Sequence, residues 1–187
     1  ETDDGTLPDD TSPKIIICDP RHHRIRDILR TTPEMDALIK KYRHLVDGVT
    51  RGLQIRRCGL SKSPNVNNDP GKNNNFCTDE TLYTKFYPLV ESAPGPVFVS
   101  ADCYETKMEM YRKYPDKVRV LDGDPTHINS DSDVDPWVSM TEFFLLSMCP
   151  IIYMTGGNRD MLTFSTFGYM AAIYGERQCI AIFNDDT

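Results

Sequence analysis

The sequence predicts a three-layer α/β domain with a Rossmann-like, mostly parallel sheet. Two observations carry this. Short apolar runs alternate with helical stretches almost without exception along the chain, and strands so separated need crossover connections. An apolar run at residues 151–154 also stops at Gly156 and Gly157, as a buried strand does, and is followed by hydroxyl residues and a helical face, the order strand, loop, helix N-terminus.

The elements follow in order. Residues 1–13 are acidic and rich in Asp, Thr and Pro, the composition of a tail or linker, so the domain is expected over residues 14–187. Residues 14–18 (KIIIC) form a buried strand, and residues 20–30 one or two helical turns. Pro33 opens a helix over 34–46, with Met35, Leu38, Ile39, Tyr42 and Leu45 on one face and Gly48 near its end. Residues 52–57 (GLQIRR) form a strand, and 59–75 a long polar loop expected over the ligand site. Thr78 or Asp79 caps a helix to residue 92. A strand at 96–101, a helix at 104–114, a strand at 118–121 and an acidic loop at 122–135 come next. Then follow a helix at 136–148 with Phe144, Leu145 and Met148 inward, the 151–154 strand, and a helix after Thr166. That helix carries Phe167, Met170, Ala171 and Tyr174 on one face, and a last strand spans 179–183.

Composition excludes several classes. Hydrophobic residues make up 39% and charged residues 26% of the 187 residues, and the net charge is −7. That balance describes a globular chain without a general nucleic-acid or anionic-membrane surface. No apolar run approaches the ~20 residues that cross a bilayer. Six cysteines are scattered without a CxxC pair, so a zinc site is not expected. The count admits one or two disulfides and leaves the redox compartment open.

Ligands in parallel sheets sit outside the carboxyl ends of the strands, and every candidate lies at such an end. Thr163, Ser165 and Thr166 offer N-cap hydroxyls where free amides and the positive dipole end make an anion site. Arg56 and Arg57 close the second strand, and alternation sends them to opposite faces, so at most one points along the crevice. A guanidinium grips phosphate with two parallel hydrogen bonds; the alternative is a surface ion pair. Asp102, past the strand at 96–101, would accept from a ribose or a base, or else cap the helix beginning at Tyr104. Asp122-Gly123-Asp124 could present a divalent cation to a nucleotide diphosphate, or belong to a solvated acidic loop with Asp131, Asp133 and Asp135. His22, His23 and His127 lack partners at ligand spacing. Trp137 reads as a packing residue.

Taken together these blocks resemble the fucosyltransferase superfamily with the H-x-R-R-x-D signature, whose donor lobe has the GT-B fold. Residues 53–59 (LQIRRCG) resemble the signature strand, and 97–102 (VFVSAD) with the helix ending YRKYP resemble the family's strand with a terminal aspartate. Residues 141–149 (TEFFLLSMC) are similar to its D-x-x-x-L-s-x-C helix, and 164–172 (FSTFGYMAA) to the last motif of the α1,2 branch. The resemblance runs from about Glu34 to Phe183.

It implies a glycosyltransferase that moves a sugar, fucose above all, from a GDP-sugar to a glycan or protein hydroxyl, with no obligatory metal, in the Golgi lumen or another secretory compartment, the cytoplasm being the alternative. By the same resemblance Arg56 holds the β-phosphate and Arg57 supports it. Asp102 lies near the guanosine, Ser165 and Thr166 line the diphosphate, and Glu142 takes the place of an aspartate that helps bind the donor. Two features depart from the pattern. Gln54 stands for the signature histidine and Gly59 for its aspartate, and little chain precedes Lys14 where the family has an acceptor lobe. The general base stays open among Asp19, Glu142 and the loop carboxylates. A metal-dependent transferase built on Asp122 and Asp124, and a lobe that binds without turnover, are the alternatives.

Overall fold

The computed structural model describes residues 15–16, 25–57, 77–125, 136–157 and 164–184. Among them six strands form one sheet: β1 (Ile15–Ile16), β2 (Arg51–Ile55), β3 (Val97–Ala101), β4 (Val118–Arg119), β5 (Ile151–Gly157) and β6 (Gln178–Phe183). Their spatial order is β1-β6-β5-β2-β3-β4. The pairs β2–β3, β2–β5, β3–β4 and β5–β6 are parallel. Only β1 runs antiparallel, on β6.

Helices cover both faces, which is why the central strands are buried along most of their length instead of alternating between core and solvent; all five residues of β3 are buried. On one face α1 (Ile25–Ile28), α2 (Pro33–Tyr42), α6 (Trp137–Ser147) and α7 (Thr166–Gly175) enclose a core that includes Met35, Phe98, Phe144, Leu146, Ile152 and Ala171. On the other, α3 (Asp79–Thr81), α4 (Tyr87–Glu91) and α5 (Tyr104–Lys113) pack Phe86, Val90 and Met110 against Leu53, Ile55 and Val99. The architecture is the expected α/β Rossmann-like one.

The helix starts follow capping chemistry. The Thr32 side chain accepts from Met35 N at 3.3 Å with Pro33 in the first turn, and α2 runs on as a 3₁₀ turn, Arg43–Val46. The Thr78 hydroxyl accepts from Thr81 N at 3.1 Å. The helix expected from there to residue 92 is not regular: α3 passes into a π-helical turn, Leu82–Phe86, before α4. Pro88, with no N–H to give, lies just beyond this widened turn, which absorbs a missing rung.

Three expectations need correction. Of the expected 14–18 strand, the described residues Ile15 and Ile16 lie at the edge of the described sheet and pair antiparallel with β6. β5 does not stop at the glycines but runs through both, with a register shift between Thr155 and Gly157. A side chain at Gly156 would begin 2.9 Å from the Phe183 ring, and Gly157 has φ +65°, so the glycines let the strand pass under an aromatic ring and bend. Trp137, read as a packing residue, is 40% exposed. The expected tail at 1–13 lies outside the described residues.

Candidate functional site

Thr155, fully buried on β5, joins the pieces at the mouth of the sheet. Its hydroxyl accepts from Arg56 N at 3.0 Å and lies 3.4 Å from Gln54 O. Its carbonyl accepts from Ser165 N at 2.8 Å. One residue therefore fastens both the backbone of Arg56, just past β2, and the residue that starts α7. Arg56 and the α7 N-terminus thus share the crevice at the carboxyl ends of parallel strands, the place where such sheets bind ligands.

Ser165 occupies the N-cap position of α7 but makes no side-chain cap bond, contrary to the capping hydroxyl expected of it, and it is buried while Thr166 is exposed. The first N–H groups of a helix have no intrahelical partner, and at α7 the first backbone bond back to the cap is Tyr169 N to Ser165 O. Gly168 brings this turn onto the sheet. A Cβ there would stand 2.8 Å from Met154 Cβ and 3.2 Å from Gln54 Cβ. Only a glycine allows that approach, and it presents the positive end of α7 to the crevice.

Arg57 and Asp102 are held by other protein groups. Asp102 Oδ1 accepts from Arg57 N at 2.8 Å, and Asp102 N donates to Ile55 O at 3.2 Å. Asp102 does not cap α5; Cys103 holds that position. The Arg57 guanidinium pairs with Asp79 and with Glu109, the latter at 2.7 Å. Burial lowers the Arg57 pKa, but these two carboxylates outweigh it and raise it above its ordinary value. The ion-pair alternative thus holds for Arg57, on the α3/α5 side, and Arg56 lies toward the other face.

Glu142, expected at the donor, is instead 1% exposed within α6. Its Oε2 accepts from Ser100 Oγ at 2.6 Å and its Oε1 pairs with Lys107 Nζ at 2.5 Å. Lys107, itself fully buried on α5, also donates to Leu121 O at 3.0 Å and Gly123 O at 2.8 Å. Burial pushes the Glu142 carboxyl up, against the pull of Lys107 and Ser100. The cluster ties both helix layers together around the ends of β3 and β4. Sequence reading missed Lys107; its signal was a lysine on the same helix face as the buried Met110.

Asp122 accepts from the Tyr104 hydroxyl at 3.3 Å and from Gly123 N at 3.0 Å. Among the described residues no group of three or more His, Cys, Asp or Glu lies placed to hold a metal ion. A groove of about 750 Å³ lined by Tyr104, Met108, Tyr111, Arg119 and Asp122 runs along the outer edge of β4, two strands away from Arg56. Cys77, Cys149 and Cys179 are buried thiols, whereas Cys103 is disulfide-bonded. Among the described residues no helix is long and apolar enough to cross a membrane. Thr163, Asp19, His22, His23, His127, the 59–75 loop and Asp131, Asp133 and Asp135 lie outside the described residues.

No family profile matches the chain, and no curated protein does. Among solved structures it is similar to the apo form of POFUT1, a protein O-fucosyltransferase, with a TM-score of 0.48 at 11% identity, over 89% of this chain and 51% of that one. The chain thus spans about half the length of that relative.

Proposed function

We propose that the crevice at the ends of β2, β3 and β5 binds the diphosphate of a GDP-sugar and that the protein transfers the sugar, fucose foremost, to a glycan or protein hydroxyl. The observation that carries this is the double anchoring on Thr155. It sets an arginine beside a helix N-terminus whose first turn has no side-chain cap. As the glycosidic bond breaks, charge grows on the leaving diphosphate. A guanidinium and helix-terminal amides already oriented there stabilise that charge without solvent reorganisation.

In this reading Arg56 grips the β-phosphate, the first turn of α7 with Ser165 and Thr166 flanks the diphosphate, and Asp102 fixes the Arg56–Arg57 backbone beside the nucleoside. Glu142 acts from behind, as a positioning residue. The disulfide at Cys103 supports an oxidising, secretory compartment. A second reading, binding without turnover, is favoured by one observation: the carboxylate expected at the donor is enclosed in an ion pair.

The test is a melting-temperature panel with GDP, UDP, CMP and their sugar conjugates, followed by GDP release from GDP-fucose with glycan acceptors. GDP at about 100 times its Kd stabilises the fold by about 2.7 kcal/mol. Response to UDP alone overturns the guanine reading, and GDP binding without release of GDP from the conjugate selects the binding-only one.

A further inference from the structure

The amide of Gln54 is an unexplained group at the floor of this crevice. Gln54 is the fourth residue of β2, 3% exposed, and its neighbours in register are Ser100 on β3 and Met154 on β5. The side chain runs beneath the first turn of α7, its Cβ and Cγ 3.2 and 3.4 Å from the place a Cβ on Gly168 would take. Its Oε1 is enclosed and accepts no hydrogen bond. The polar neighbours cannot supply one. Ser100 Oγ donates to Glu142, and Lys107 spends its three protons on Glu142, Leu121 O and Gly123 O. The amide nitrogen bonds no protein group either, and only the oxygen is enclosed.

Enclosing an acceptor without a partner is unfavourable, and a methionine would fill the same space without that cost. A glutamine here is therefore accounted for by its other half. The side chain lies against the first turn of α7 at Gly168, and its nitrogen, unlike its oxygen, is not among the enclosed unpaired atoms. The nitrogen is thus the half left to meet a ligand at that helix start, where the backbone N–H groups also lack intrahelical partners.

We infer that the Gln54 amide nitrogen donates to the anionic group held at the α7 N-terminus, making Gln54 an uncharged phosphate ligand alongside Arg56. The inference rests on the diphosphate reading above and adds a ligand to it. Two N–H protons from a side chain locked under a helix give direction to an anion, where Arg56 gives charge. Because a primary amide does not titrate, this donor works unchanged at every pH the fold survives.

The experiment measures GDP and inorganic pyrophosphate binding by calorimetry for the full chain, for Gln54→Met and for Gln54→Leu, with melting temperatures for all three. The methionine variant is expected to melt higher than the parent, since an unpaired oxygen is gone, and to bind both probes at least about tenfold more weakly (about 1.4 kcal/mol). The leucine variant keeps the loss of binding if its shape destabilises the fold. GDP affinity within twofold of the parent in folded Gln54→Met overturns the inference while leaving the diphosphate reading intact. Failure of the parent to bind GDP, with pyrophosphate binding that still depends on Gln54, overturns the nucleotide reading and leaves this one standing.

Discussion

Breaking the Lys107–Glu142 pair offers a quantitative check on the account of the site. Both side chains are essentially inaccessible, 0% and 1% exposed, and 2.5 Å apart. Glu142→Gln keeps the shape but leaves an ammonium in the core facing an amide, which costs about 3–5 kcal/mol. Lys107→Met strands a carboxylate beside Ser100 and costs a similar amount at neutral pH.

The two losses do not add. With both charges gone no uncompensated ion remains, and the double variant pays mainly for the carbonyls of Leu121 and Gly123, left without Lys107, at about 1–3 kcal/mol each. Lys107→Met loses those carbonyl contacts too, so they cancel from the cycle, and the coupling energy from urea unfolding of the four proteins has the size of the stranded-ion penalty, at least about 3 kcal/mol. The penalty in Lys107→Met also depends on pH. Burial already raises the Glu142 pKa, and removing the cation raises it further. A carboxyl whose folded pKa is raised contributes stability below its unfolded pKa, about 4.3, and loses it as pH climbs through the folded value. The gap between Lys107→Met and the parent should thus narrow as pH falls from 7 toward 4.5. Additive single losses, or a gap that widens in acid, would refute the buried pair.

Two further outcomes follow from the geometry. On the proposed diphosphate reading, Arg56→Lys keeps the charge but gives up one of two parallel hydrogen bonds, so kcat/KM should fall by roughly 30- to 150-fold, about 2–3 kcal/mol, with little change in melting temperature; full activity would remove Arg56 as the phosphate ligand. Burial pushes the Cys77 and Cys149 thiols up to about 12, so at pH 8 native protein should leave both unlabelled by a thiol reagent that modifies them in urea, as read by peptide mass spectrometry. Rapid native labelling would show that the core around them opens.

The layered fold was legible because it is written locally. Residues 97–101 are apolar enough to be buried on both faces, and Thr32 with Pro33 marks a helix start that the backbone obeys. What the sequence hid is mostly held by distant partners. Nothing near Thr155 announces that it meets Arg56, 99 residues away. Glu142 resembles a ligand-binding carboxylate until Lys107, 35 residues distant, is seen against it. Gly156 and Gly157 looked like the end of a strand because local punctuation cannot register a Phe183 ring lying against Gly156. Arg56 and Arg57 were told apart only in part: alternation separated their faces, but the carboxylates of Asp79 and Glu109 decided which one serves as a strut.

The sheet order also has a kinetic consequence. β2 lies between β3 and β5, and its pairing with β5 joins Gly52 to Ile152. Closing so long a segment forfeits chain entropy before any contact rewards it. The β2–β3 unit, with Gly52 opposite Phe98, closes a loop less than half as long and is the natural earlier step. The crevice needs β5 docked on β2, so it forms among the last events of folding. A chain stalled before that point would expose the inner edges of β2 and β5, whose apolar backbone is open to pairing with another molecule. A ligand that bridges Arg56 and the start of α7 closes that seam, favouring the folded chain over association of its intermediates.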